Sequence, residues 1–154
     1  MVCFMWESYI NISTRYLRIS LSEERDIISE AQRGSKESKD KIVLFHINFL
    51  MFRIRRIVFP YLLQRFGDDL LAETILIAYS KIESYDLDYH DKYGNPKPVK
   101  FVSYIWKRID GFIIDFLKKE LITSNYYNQY NEYGITRADS AIMYTMEEAD
   151  ISIS

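Results

Sequence analysis

The stretch IVLFHINFLMF, Ile42–Phe52, decides the fold: only His46 and Asn48 interrupt eleven residues that are otherwise apolar. Written as a helix, the run is hydrophobic on nearly every side, and such a helix belongs at the centre of a bundle. It is too short to span a bilayer, which needs about 20 apolar residues. Ser35 caps the helix that contains it, and the helix runs to about Phe59, where Pro60 cannot continue it.

The flanking segments read as further helices. Ser20 with Glu23 three residues on forms a capping box, opening a short helix EERDIISEAQR that Gly34 stops. Downstream, Gly67, Asp68 and Asp69 put carboxylates at the positive start of a third helix, whose apolar stripe is Leu70, Leu71, Ile75, Ala78 and Ile82. It ends before Tyr85 and Asp86. The polar segment DLDYHDKYGNPKP, with Gly94, Pro96 and Pro98, is a loop. A fourth helix follows in KFVSYIWKRIDGFIIDFLKK, Lys100–Lys119, with an inward stripe of Phe101, Ile105, Ile109, Phe112, Ile113, Phe116 and Leu117. No strand-like alternation and no internal repeat appears, so the expected fold is an all-α, compact helical bundle. Its organisation reads as an N-terminal extension (1–20), a helical domain (21–120) and an acidic, Tyr/Asn-rich tail (121–154).

Composition bounds the function. A chain of 154 residues with 48% hydrophobic and 27% charged residues suits one soluble domain with a real core. The opening MVCFMWESYI has no basic region and reaches Glu7 too soon for a signal peptide, and a single cysteine, Cys3, allows neither an internal disulfide nor a thiolate zinc site. The expectation is a cytoplasmic protein with no membrane partner. The net charge of −2 is unevenly spread: residues 121–154 hold Arg137 against Glu132, Asp139, Glu147, Glu148 and Asp150, a net of −4, which leaves +2 on the body. A mildly basic body keeps polyanionic partners open despite the acidic pI.

No catalytic constellation is visible, and neither an enzyme nor a cofactor is expected. His46 lies in an apolar helix and reads as a satisfied core histidine, while His90 lies in a loop without companion ligands. Asp86, Asp88 and Asp91 approach the pattern of a calcium loop, but Gly94 is misplaced and Lys97 stands where a bidentate Glu is required. There is no Gly-rich phosphate loop and no nucleophile motif. What remains is the outer side of the fourth helix: Ser103, Tyr104, Lys107, Arg108, Asp110, Gly111, Ile114, Asp115, Lys118 and Lys119. Its cations span three turns, about 16 Å. Cations with an aromatic at one end suit a single nucleic-acid strand, and the same residues also make an ordinary solvated face.

The order of the parts adds a resemblance. EAQRGSKES, DLLAETILIAYSKIESYD and KFVSYI, in that order over residues 22–119, resemble the bacterial sigma-70 family of transcription initiation factors, whose region 2 carries a D-L-x-Q-E helix and a K-F-S-T-Y-A motif. The resemblance implies a multisubunit RNA polymerase core as partner, docked through its clamp helices by Asp69, Glu73, Ile75 and Tyr79. It also implies promoter DNA as ligand, the non-template strand of a −10 element being held by Ser103 and Tyr104, with Tyr104 stacking at the edge of the bubble. Arg55, Arg56, Lys107 and Arg108 would contact phosphates. Gly111 and Ile114 occupy the positions that read the upstream base pair in the family, and neither can make bidentate base contacts. Lys107 and Arg108 stand in place of a Trp-Trp wedge, and Trp106 is rotated about 100° from it.

No region 4 is recognisable, and in this the chain resembles the divergent late sigma factors of bacteriophages. Their acidic-hydrophobic tails imply a sliding clamp as a further partner for AIMYTMEEADISIS, against a tail that is disordered or packed on the body; a second chain could alternatively supply region 4. The competing expectations are a sigma mimic that occupies the clamp helices to inhibit or reprogram host transcription, and a helical interaction protein outside transcription.

Overall fold

The computed structural model describes residues 6–123, and within them five helices: α1 (Glu7–Ser13), α2 (Leu21–Gln32), α3 (Lys36–Ile57), α4 (Pro60–Ser84) and α5 (Phe101–Thr123). The tail assigned to 121–154 lies outside the described residues except for the last turn of α5. Helix α3 touches all four others, as a helix apolar on every side must. Its Ile42, Val43, Ile47, Leu50, Met51 and Ile54 are all buried. The all-α bundle is therefore the observed architecture.

Local signals set the helix ends. Ser20 Oγ accepts from the Glu23 N–H, and the Glu23 carboxylate accepts from the Ser20 N–H, so two orphan donors of α2 are satisfied. At the other end Gly34 takes φ +106°, which lets its N–H reach the Ala31 carbonyl and the Ser35 N–H reach that of Glu30. Ser35 then caps α3 by accepting from the Ser38 N–H.

The third helix starts earlier than its carboxylates suggested. Helix α3 stops at Ile57, two residues short of Phe59, and Pro60 is also the first residue of α4, where a missing N–H costs no hydrogen bond and its fixed φ suits the helix. Only Val58 and Phe59, both extended, separate α3 from α4. Gly67, Asp68 and Asp69 therefore fall in mid-helix, Gly67 buried and both aspartates exposed. They cap nothing.

The bundle closes through polar links as well as apolar packing. Gln32 Nε2 donates to the carbonyls of Ile82 (3.0 Å) and Tyr85 (2.7 Å), so a side chain of α2 satisfies the end of α4. Arg25 donates to the Leu87 carbonyl, and the Tyr85 hydroxyl donates to that of Val99, pinning the two ends of the loop 85–100. Within the loop the Asp91 carboxylate accepts from the N–H groups of Tyr93 and Asn95, which holds its pKa below the usual value.

Two buried polar nodes join α5 to the rest. Glu24 Oε2 accepts from the Phe101 N–H at the start of α5 (3.1 Å), while its Oε1 lies 3.3 Å from His46 Nε2. His46 Nδ1 meets the Ile42 carbonyl, and the ring packs edge-on against Phe101. It is the satisfied core histidine expected. Further along, Arg53 of α3 and Asp110 of α5 form a buried bidentate ion pair. His46–Phe101 and Arg53–Asp110 advance in the same direction, so α3 and α5 run parallel.

Asp110 and Ile114, placed outside the stripe by spacing, are thus inside: Asp110 is paired to Arg53 and Ile114 is only 7% exposed. Phe112 and Phe116, placed inside, are half-buried. Within the N-terminal extension, the residues from Trp6 onward pack on the bundle. Trp6 is 2% exposed in the core, and α1 lies antiparallel along α3, with Arg55 over the Trp6 ring, Asn48 donating to the Ser13 carbonyl and Phe45 edge-on to Tyr16.

Candidate nucleic-acid interface

Helix α5 presents Ser103, Lys107 and Arg108 to solvent, with Tyr104 half-buried beside them. At 100° per residue Tyr104, Lys107, Arg108 and Gly111 share one side of the helix, opposite Ile105, Ile109 and Ile113. Lys107 Nζ lies 5.4 Å from the centre of the Trp106 ring, which braces the lysine stem along the helix.

Tyr104 is more constrained than its neighbours. Its hydroxyl donates to the Ser84 carbonyl (2.9 Å) at the end of α4 and lies 2.8 Å from Ser84 Oγ. Its ring meets Tyr85 edge-on at 5.5 Å, and Lys81 Nζ stands 5.4 Å from the ring centre. The ring is held in one orientation by three side chains and one carbonyl. A preoriented aromatic loses little entropy when a base stacks on it.

Of the two positions matched to base reading, Gly111 is half-buried, and a Cβ there would meet nothing within 4 Å. Ile114 is buried and presents no surface at all. Spacing placed Ile114 on the outer face because a helix crossing its neighbours at an angle shifts its buried side along its length. Here the buried arc moves from Phe101 and Ile105 toward Ile114 and Leu117.

Arg55 and Arg56 are exposed on the last turn of α3. The Arg53–Asp110 pair ties that turn to the middle of α5.

The matched protein-docking residues divide. Asp69 and Glu73 are exposed on α4 and edge a shallow groove with Phe66, Ala72, Phe116 and Glu120. Ile75 packs half-buried against the core. Tyr79 is turned inward: its hydroxyl donates to Asp40 of α3 at 2.6 Å, and burial, the hydrogen bond and the Asp40 charge push its pKa up to about 12. The outward row of α4 is instead Asp69, Glu73, Leu76 and Ser80, with Leu76 61% exposed. Leu76 was legible in the sequence, since it lies opposite the stripe of Leu71, Ala78 and Ile82.

Among the described residues no group of three His, Cys, Asp or Glu is placed to hold a metal ion, and no described helix is long and apolar enough to cross a membrane. No family model, no curated protein and no solved structure matches the chain.

Proposed function

We propose that the protein is a minimal sigma-like initiation factor that acts in the cytoplasm: it docks on a multisubunit RNA polymerase core through α4 and holds the non-template strand of a −10-type element on α5. One observation carries the reading. Ser103, Lys107 and Arg108 are exposed on α5, and Tyr104 beside them is half-buried against the core with its ring held in a fixed orientation. The exposed Asp69 and Glu73 support the docking half, because α4 keeps carboxylates and an apolar Leu76 on its outward row.

Extruding a base costs a few kcal/mol of pairing and stacking. A protein that does so without a nucleotide triphosphate must recover that from stacking and phosphate contacts. Tyr104 supplies a ring, and Lys107, Arg108, Arg55 and Arg56 supply charge. A-T-rich steps are the least costly to open.

A second reading keeps the docking and drops the melting: a sigma mimic that occupies the clamp helices. It is favoured by Ile114 being buried and Gly111 having no side chain, which leaves no reader for the upstream base pair. Run-off transcription with purified core polymerase separates the two. The triple variant Tyr104→Ala, Lys107→Ala, Arg108→Ala should lose initiation while still co-eluting with core if the protein is an initiator. A mimic would keep its effect on host transcription in that variant. Failure of the wild-type protein to associate with core would end both readings.

A further inference from the structure

Between Lys41 and Gly67 the sequence contains no carboxylate, while Lys41, Arg53, Arg55, Arg56 and Arg65 are cationic. Arg53 is neutralised by Asp110 inside the bundle. Arg55 and Arg56 stand at the surface on the last turn of α3.

Three large aromatics are exposed beside them: Phe52 at 56%, Phe59 at 39% and Tyr61 at 47%. Phe52, Arg55 and Arg56 occupy positions i, i+3 and i+4, one face of α3. Phe59 follows on the two-residue elbow into α4, and its ring stacks on Tyr61 with centroids 6.0 Å apart and planes 22° apart. The Arg55 guanidinium is braced 5.2 Å over the Trp6 ring. An aromatic, two arginines and a stacked aromatic pair therefore follow one another around this end of the bundle.

Exposed aromatics alone would serve any apolar partner, but the charge selects among partners. The 27 consecutive residues 41–67 contribute no carboxylate to this surface, and flat rings alternating with arginines along the chain match the alternation of base and phosphate along a single strand. We infer that this end of the bundle is a second binding surface for a single strand of nucleic acid. Phe52 and the Phe59–Tyr61 pair are its base platforms, and Arg55 and Arg56 hold the intervening phosphates. The inference rests on the proposed function only for the phosphate role of the two arginines; the aromatics and the elbow lie outside that reading.

The test is fluorescence anisotropy of the full chain with labelled oligo-dT and oligo-rU of roughly 12 nucleotides, a length within the usual single-strand site sizes. A duplex serves as control, and each titration is run at two salt concentrations. Wild-type protein should bind a single strand more tightly than the duplex, and more tightly at low salt. Phe52→Ala and Phe59→Ala should each weaken binding about fivefold or more, the loss of one stacked base. Phe52→Trp should retain affinity, and Phe52→Leu should lose as much as the alanine variant. All these positions are exposed, and unchanged melting curves will show that the fold is intact.

Binding of dT alone identifies the strand as DNA, and binding of rU alone as RNA; either supports the inference. It is overturned if wild type binds no single strand, if the duplex binds equally well, if the alanine variants bind as wild type, or if Phe52→Leu matches wild type, which would mark an apolar protein contact instead. Association with core polymerase, measured separately, decides the proposed function without reference to these variants.

Discussion

Arg53 and Asp110 grip each other inside the bundle by two parallel hydrogen bonds, Nε to Oδ1 at 2.9 Å and Nη2 to Oδ2 at 2.5 Å. The pair fixes the register of α5 on α3, and with it the placement of the cations on both helices. Removing one partner leaves an uncompensated buried charge. Arg53→Ala or Asp110→Ala should each cost about 3–5 kcal/mol in urea unfolding, whereas the double variant Arg53→Met, Asp110→Leu should be close to wild type.

Glu24 distinguishes hydrogen bonding from charge at the second node. In Glu24→Gln the amide oxygen still accepts the Phe101 N–H and the amide nitrogen can donate to His46 Nε2, so the loss should stay below about 1 kcal/mol. Glu24→Ala leaves the start of α5 and the imidazole without a partner in a buried place, a cost of about 3 kcal/mol. Equal losses in chemical denaturation would show that the carboxylate charge, and not the bonding pattern, holds the node.

Tyr79 predicts the alkaline limb of stability. Its pKa is raised from 10.0 to about 12 by burial first, then by the hydrogen bond to Asp40 and its charge. A raised folded-state pKa means that the neutral phenol stabilises the fold fully below the unfolded value and loses that contribution as pH climbs through the folded one. Wild type should therefore exceed Tyr79→Phe by a constant margin of about 0.5–1.5 kcal/mol up to pH 10, and the margin should vanish toward pH 12. Thermal melts across that range check it.

Gly34 is needed for its conformation and not for space. A Cβ there would touch nothing within 4 Å, but φ is +106°. Gly34→Ala should cost about 1–2 kcal/mol, read from the shift in melting temperature.

The outward row of α4 gives a prediction for partnership. Asp69→Lys with Glu73→Lys changes two exposed side chains, so stability should move by less than about 0.5 kcal/mol. Co-elution with core polymerase should weaken more than tenfold while single-strand binding is retained. Unaltered co-elution would remove α4 as the docking helix.

Much of this fold could be read from the chain, because capping and turn chemistry are local. The capping box at Ser20, the Gly34 stop, the Ser35 cap and the central helix over Ile42–Phe52 needed no tertiary information. Pro60 reads locally as the limit of α3, and only the two-residue connector shows that it also starts α4. The aspartates at 68 and 69 resembled a helix start for the same local reason, yet α4 was already two turns old.

The surface was harder to read. Asp110 is a charged residue that spacing sends to solvent, and its burial depends on Arg53, fifty-seven positions earlier. Tyr79 is bonded to Asp40, thirty-nine positions earlier, a contact that spacing along α4 does not reveal. Trp6 lay in a segment with no periodicity, and its place against α3 is a long-range contact. The exposure of Ser103, Lys107 and Arg108 is legible because a solvent face is what is left when the apolar stripe is removed. Phe52 escaped because an aromatic within an apolar run reads as core.

The elbow of Val58 and Phe59 also orders the assembly of the chain. Two residues join α3 to α4, so their pairing closes the smallest loop in the bundle, whereas Glu24 reaches Phe101 across 77 positions. Closure entropy rises with the length enclosed, and distant contacts form late. On a ribosome, α1 to α4 emerge before α5 exists. Of the five described helices α5 is the expected last for amide protons to become protected, and a stalled chain ending near Asp86 should already pair α3 with α4.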